Sequence, residues 1–186
     1  MAVQSNLKNM VLCLTCVCFG CAAVLGGVYA VTKAPIDRTN EKLLKESIGA
    51  VLPQGGELSE AKTISVGGQP SEYYESIEGG EVKAYAVKST VVGFGGPLVL
   101  MVGITSDGNV YNTSVLSHTE TPGLGAKCTT DKNFMAQWKG LDPSQKILKV
   151  KKDQGDIDAI TASTITSRAY TLAVSNAVEA VKGLKN

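Results

Sequence analysis

The densest store of possible chemistry lies near the C-terminus, in Asp158–Arg168, "DAITASTITSR". Five hydroxyl side chains, Thr161, Ser163, Thr164, Thr166 and Ser167, fall within seven residues. They precede "AYTLAVSNAVEAVKGL", where Tyr170, Val174, Ala177, Val178 and Val181 share one helical face, which predicts a helix starting near Thr164 or Thr166. A helix start presents free N–H donors and partial positive charge, which suit a phosphate, and flanking hydroxyls add donors. One threonine could be esterified by that phosphate. Helix capping is the plainer reading, since Thr161, Ser163, Thr164 or Thr166 could each accept a backbone N–H. Capping needs one hydroxyl rather than five, and both readings are open at this point.

A second candidate is "SHTETPGLGAK", Ser117–Lys127, which packs a proline, two glycines, an acid and a base into a loop after a strand. Glycine lets backbone approach a flat ligand closely, and loops after strands often carry binding groups. A plain strand-to-helix connection is the alternative. "GFGG", Gly93–Gly96, reads as a turn or bulge. The single histidine, His118, excludes a multi-histidine metal site. No P-loop and no dinucleotide-binding glycine pattern occurs, so no residue is assigned as catalytic and none as a metal ligand.

These segments need a scaffold. The chain has 186 residues and a net charge of +1, with no basic patch to suggest nucleic acid. Between Lys8 and Lys33 there is no charge, and as a helix this stretch would reach ~36 Å at about 1.5 Å per residue. That is enough for a bilayer core of about 30 Å, so a transmembrane helix over 10–32 is expected; a cleaved signal peptide is its rival. Ala22 with Gly26, and Ala23 with Gly27, would allow another helix to approach closely in lipid. Lys33, Arg38, Lys42 and Lys45 follow the span, but long domains translocate largely regardless of charge, so charge does not settle the side. Four of five cysteines, Cys13, Cys16, Cys18 and Cys21, lie in the span and read mainly as small apolar groups. Cys128 alone lies outside it, which excludes a disulfide framework in the soluble part.

After a short segment 1–9 and the span, residues 33–60 read as a stalk helix and linker, starting at Asp37 or Thr39 and ended by Pro53 and Gly55-Gly56. Residues 61–186 then form one domain. Its first part predicts one or two short strands and a surface loop. "EVKAYAVKSTVV" reads as a strand, and Asp107-Gly108 predicts that Leu98–Thr105 and Val110–Ser117 pair as a hairpin. "DKNFMAQWKGL" predicts a short helix, and "QKILKVKKDQGDID" another strand and turn. The fold class is α+β: an N-terminal transmembrane helix, then a mainly antiparallel sheet flanked by helices.

Taken together, the two segments resemble the FMN-binding domain shared by the G subunit of the Rnf electron-transport complex and the C subunit of the sodium-pumping NADH:quinone reductase. That family carries a flavinylation motif, D-x-x-(S/T)-G-A-(T/S), often followed by x-T-S. It aligns with Asp158, Thr161, Thr164, Thr166 and Ser167, and "ETPGLG", Glu120–Gly125, resembles a second signature of the family. "GFGG" and the single anchor also fit. The chain departs from the pattern at Ala162-Ser163, where the family usually has Gly-Ala, and an alanine makes a left-handed backbone at 162 unfavourable.

The resemblance implies FMN ester-linked through its phosphate to Thr164 by a flavin transferase, with Thr161, Ala162, Ser163, Ile165 and Thr166 around the phosphate. Glu120, Thr121, Pro122, Gly123, Leu124 and Gly125 would wall the ring. It further implies an electron-carrying subunit, not catalytic alone, of a translocase passing electrons between ferredoxin and NAD with Na+ or H+ movement. The other Rnf subunits, the flavin transferase and membrane lipid are then its partners, with the domain on the outer side of the inner membrane. Compact length favours the Rnf subunit over its quinone reductase counterpart. A flavin-free, membrane-anchored scaffold is the reading from another class.

Overall fold

The structure is a computed structural model that describes residues 6–185, so residues 1–5 of the expected segment 1–9 lie outside it. Contacts divide the chain between Leu43 and Leu44, and each part is described by itself. The first element is α1, Leu7–Val51, a continuous helix of 45 residues. It is long and apolar enough to cross a bilayer, and its apolar window buries nothing within the protein. Thr15 and Thr32 fold their hydroxyls back onto the carbonyls of Val11 and Val28, which removes the need for an outside partner.

The expected separate stalk helix is a correction: α1 runs through Pro35 without a new start at Asp37 or Thr39. Proline inside a helix forfeits one backbone bond and crowds the preceding turn. Here, Thr39 Oγ1 donates to the Pro35 carbonyl at 2.9 Å and helix formers continue on both sides.

In the second part, six strands form one antiparallel sheet. They are β1 (Glu57–Leu58), β2 (Lys62–Val66), β3 (Gln69–Glu78), β4 (Glu81–Val92), β5 (Pro97–Thr105) and β6 (Val110–His118). The order is β1-β3-β4-β5-β6, with β2 also pairing with β3. The region expected to hold one or two strands holds three, because β1 and β2 pair with successive stretches of β3. The Asp107-Gly108 hairpin joins β5 and β6 as expected, with Gly108 in the left-handed region at φ 93°.

Alternation along the strands sorts side chains between two cores. Val87, Val91, Leu98, Leu100, Val102 and Ile104 meet α3, Thr164–Lys185. Ala84, Ala86 and Met101 lie in a smaller core with Ile48, Val51 and Leu52 from the end of α1. The apolar face of α3 is the one foreseen: Tyr170, Val174, Ala177, Val178 and Val181 are all buried. A short helix, α2 (Lys132–Ala136), is capped by Asp131, whose carboxylate accepts from the N–H groups of Asn133 and Phe134.

The strand expected within 145–158 does not form. The chain doubles back: a 3-10 turn at Lys151–Asp153 is closed by left-handed Gln154, and Val150 bridges Ile157 within the same segment. The Asp156 carboxylate accepts the Ile147 N–H at 2.7 Å, so local polar bonds replace sheet pairing.

An aromatic cluster fixes α3 against α2. The Phe134 and Tyr170 rings meet edge-on at 5.0 Å, and Trp138 stacks on Tyr170 at 5.2 Å. The Tyr170 hydroxyl shares a 2.8 Å hydrogen bond with Thr113 on β6, and burial holds its phenol well above the usual range. Tyr170→Phe is expected to cost about 1–2 kcal/mol, because it strands a buried threonine hydroxyl. Urea unfolding of the two proteins, followed by circular dichroism, measures the difference.

Candidate functional site

The two motif segments meet although about forty residues separate them in sequence. Between them lies a cleft of about 310 Å³, lined by Phe94, Glu120, Thr121, Leu124, Gly125 and by every residue from Ala162 to Thr166. The strand ends deliver the first segment. β4 ends at Val92, and Gly93–Gly96 turns into β5, with Gly93 N–H donating to the Gly96 carbonyl at 2.7 Å. β6 ends at His118, and the loop follows directly.

That loop has the signature of a type II turn. Leu124 N–H donates to the Thr121 carbonyl at 3.2 Å, Pro122 fills the second place, and Gly123 has φ 76° in the third. A short 3-10 helix, Gly125–Thr129, follows and carries Cys128. Cys128 is fully buried, and that burial, with the nearby Glu120 charge, pushes its thiol up to about 11.

Glu120 holds the pieces together. It is only 5% exposed. Its Oε1 accepts from the N–H of Phe94 at 2.8 Å and more loosely from Gly95 at 3.4 Å. Its Oε2 accepts from Thr166 Oγ1 at 2.7 Å. One carboxylate therefore ties the glycine turn and the start of α3 to its own loop. Two glycines make room for it: a Cβ on Gly93 would lie 2.0 Å from Oε1, and one on Gly125 2.4 Å from Oε2.

The hydroxyl run does not cap α3. Thr166 is committed to Glu120, and Ser167 Oγ accepts from Ile160 N–H while donating to the Ser163 carbonyl, both at 2.9 Å. Ser163 Oγ is buried and has no partner. Lys152 Nζ donates to Thr164 Oγ1 at 3.2 Å. Of the four hydroxyls considered as caps, none accepts a backbone N–H among the described residues.

Ala162 is a second correction. It adopts φ 61°, the left-handed conformation that its Cβ disfavours. The surroundings impose it: Ser163 N–H donates to the Ile160 carbonyl at 3.0 Å, and Gln137 grips both backbone groups of Asp158. Upstream, Lys151 pairs with Asp158 at 2.7 Å, and Asp153 pairs with Arg168 at 2.6 Å. The Arg168 hydrogen bond holds the Asp153 carboxyl below its usual range.

Of the residues expected at the site, Glu120, Thr121, Leu124, Gly125, Ala162, Ser163, Thr164, Ile165 and Thr166 line one cleft. Thr161, Pro122 and Gly123 do not line it and are exposed to solvent. Two residues at the site escaped the sequence reading. Phe94, 66% exposed at the rim, sits in the noted glycine turn, so its signal was there. Lys152 gave none beyond the charge run "KVKK".

A family model described as the FMN-binding domain matches residues 93–179, which include both segments that line the cleft. Over nearly the whole chain, the sequence is 35% identical to the G subunit of a proton-translocating ferredoxin:NAD(+) oxidoreductase complex from Clostridium ljungdahlii, covering 96% of this chain and 93% of that protein. It is 34% identical to the G subunit of an ion-translocating oxidoreductase complex from Vibrio cholerae (89% and 84% covered) and 30% identical to that of Methanosarcina acetivorans (97% of each). The chain belongs to this family, the G subunits of Rnf-type ion-translocating oxidoreductase complexes. Among solved structures, the C subunit of the Na(+)-translocating NADH-quinone reductase from Parabacteroides distasonis aligns over 63% of this chain and 64% of its own, at 23% identity and TM-score 0.47.

Two stability outcomes follow from this geometry. Glu120→Ala leaves two backbone donors and the Thr166 hydroxyl unanswered and is expected to cost about 3 kcal/mol or more, read as a lower urea midpoint. Ala162→Gly relieves the left-handed alanine and is expected to gain about 1 kcal/mol, read as a higher midpoint.

Proposed function

We propose that this chain is the covalent flavoprotein subunit of its complex, carrying FMN as a phosphate ester on Thr164 and relaying electrons through it. The observation that carries the proposal is the convergence of both motif segments on one cleft with Thr164 in its lining. Thr164 is partly exposed and reachable, while Ser163, the neighbouring hydroxyl, is only 6% exposed. A modifying enzyme would therefore meet the Thr164 oxygen first.

The residues present fit a phosphate diester. Lys152 Nζ already reaches Thr164 Oγ1, and among the described residues no carboxylate lies within ion-pair distance of it. The N-terminus of α3 adds N–H donors and partial positive charge. Phe94, Leu124 and Ile165 offer exposed apolar surface around the cleft, suited to a flat ring. A cleft of about 310 Å³ is at the small end for ligand sites, which leaves a mononucleotide partly open to an electron partner.

When bound, FMN supplies the redox chemistry. The protein's part is to hold and orient it: Lys152 and the start of α3 neutralise the phosphate, and Glu120 keeps the loop and helix in register. α1 anchors the chain in lipid, and the domain lies on the extracytoplasmic side. Free FMN should be scarce there, and ordinary binding saturates only above the dissociation constant. An ester makes occupancy independent of supply. A flavin transferase makes the ester, the other subunits of the complex are the electron partners, and transfer between ferredoxin and NAD is coupled to Na+ or H+ movement.

The test is coexpression with a flavin transferase, followed by intact mass and fluorescence on a denaturing gel. The wild-type chain is expected to gain the mass of FMN less one water, and Thr164→Ala to keep its fold and lose the fluorescent band. A bright Thr164→Ala band sinks the assignment of Thr164. A bare wild-type chain favours the flavin-free scaffold.

A further inference from the structure

Ser163 directly precedes Thr164, the first residue of the 22-residue α3. A serine in that place ordinarily accepts an N–H from the first turn. This one does not. It is only 6% exposed, and its Oγ meets no donor or acceptor. Among the described residues two other buried side-chain atoms share that condition, Ser89 Oγ and Trp138 Nε1, but neither residue lines the cleft. The first turn is equally unanswered: Ser167 is the first amide of α3 to bond back, to the Ser163 carbonyl at 3.0 Å.

A buried hydroxyl that no group of the protein answers is a net cost to the folded chain unless another molecule bonds to it. Ser163 also directly precedes the threonine assigned above to the ester, with ~3.8 Å between their Cα atoms. An orphaned hydroxyl that lines the cleft, the unbonded amides of the first turn and Lys152 thus all belong to the immediate neighbourhood of Thr164. We infer that Ser163 Oγ is a hydrogen-bond donor to the phosphoryl end of the bound flavin nucleotide, acting with the free amides of the first turn of α3. This rests on the proposed ester at Thr164. It assigns Ser163 a ligand role and not a structural one: the phosphoryl end would supply the partner that its Oγ does not find within the protein.

Ser163→Ala removes the oxygen and little else, so the two roles give opposite signs. The full chain is purified in detergent in two forms, unloaded and loaded by coexpression with a flavin transferase, and intact mass verifies each. In the unloaded form, Ser163→Ala is expected to leave Tm unchanged or raise it by about 2 °C; in the loaded form, the rise in Tm caused by flavin is expected to shrink by about 3 °C. The ³¹P resonance of the diester is expected to move relative to wild type. Equal lowering of Tm in both forms makes Ser163 a structural residue and overturns the inference, as does an unchanged flavin-dependent rise with an unmoved resonance. Loss of flavin from Ser163→Ala, with Thr164 intact, makes Ser163 the attachment point and overturns it too. A bare wild-type chain removes the ester reading and this inference together, whereas a loaded wild type with any of the other adverse outcomes removes only the role of Ser163.

Discussion

A buried carboxylate with its acceptor oxygens answered from two directions is the constraint on which the site depends. Glu120 could not stay in so dry a place as a bare charge, because burying an unpaired carboxylate is very costly. The cost is offset by drawing in the amides of the Gly93–Gly96 turn and the hydroxyl of Thr166. The donors come from two pieces of chain remote from Glu120's own loop, so satisfying the charge also places the turn, the loop and the helix start around one cleft. Hydrogen bonds to a charged acceptor are worth about 1.5–3 kcal/mol each, comparable with the cost of bending a loop into an unusual path. The glycines at 93 and 125 follow from this, since side chains there would occupy the carboxylate's own space.

The second constraint is the rigid seat of α3. Beyond its polar first turns its inner face is apolar, from Ala173 to Val181, and its Tyr170 is locked between Trp138, Phe134 and Thr113. A helix held this way cannot slide or roll to suit its first turn. The loop before it must adapt, and Ala162 takes a left-handed conformation at a cost of about 1–2 kcal/mol. Strain of that kind persists only where neighbours over-determine the backbone. Here they do: Gln137 fixes Asp158, Ser167 fixes Ile160, and Ile160 fixes Ser163.

Much of this was legible in the sequence, and for physical reasons. The hairpin at Asp107-Gly108 was readable because its turn needs a residue at positive φ, and the face of α3 because helical spacing marks burial directly. The motif segments were readable because hydroxyls and glycines are conspicuous against an apolar background. What escaped depended on contacts between distant residues. The tie from Glu120 to Thr166 spans forty-six positions, and nothing local marks Glu120 as buried. The backbone at Ala162 runs against its own propensity, so a local rule had to give the wrong answer. The continuation of α1 through Pro35 belongs to the same class, since one lost bond is small beside a long helix. The doubling back at 145–158 rests on bonds within the segment, Lys151 N–H to the Ile157 carbonyl and Ile157 N–H to the Lys149 carbonyl, with the Asp156 carboxylate answering the Ile147 amide, and no local pattern announces them.

Charge shows the same separation of scales. A net charge of +1 excludes a broad basic surface, yet it conceals a small, directed excess beside Thr164. Three consecutive charged residues at Lys151–Asp153 reach forward to the motif segment, and two are neutralised there: Lys151 by Asp158, and Asp153 by Arg168. Lys152, between them, meets a hydroxyl. An ammonium donating to a neutral oxygen while its neighbours hold carboxylates is an arrangement that favours an anion beside Thr164. The helix start contributes in the same sense, because its amides also favour an anion. A diester phosphate carries one such charge, so its arrival at Thr164 would complete the pairing that the turn leaves open. The same charge balance supports the proposed attachment through the phosphate: the cation and free donors gather beside Thr164, and the apolar rim of Phe94, Leu124 and Ile165 would be left for the flavin ring.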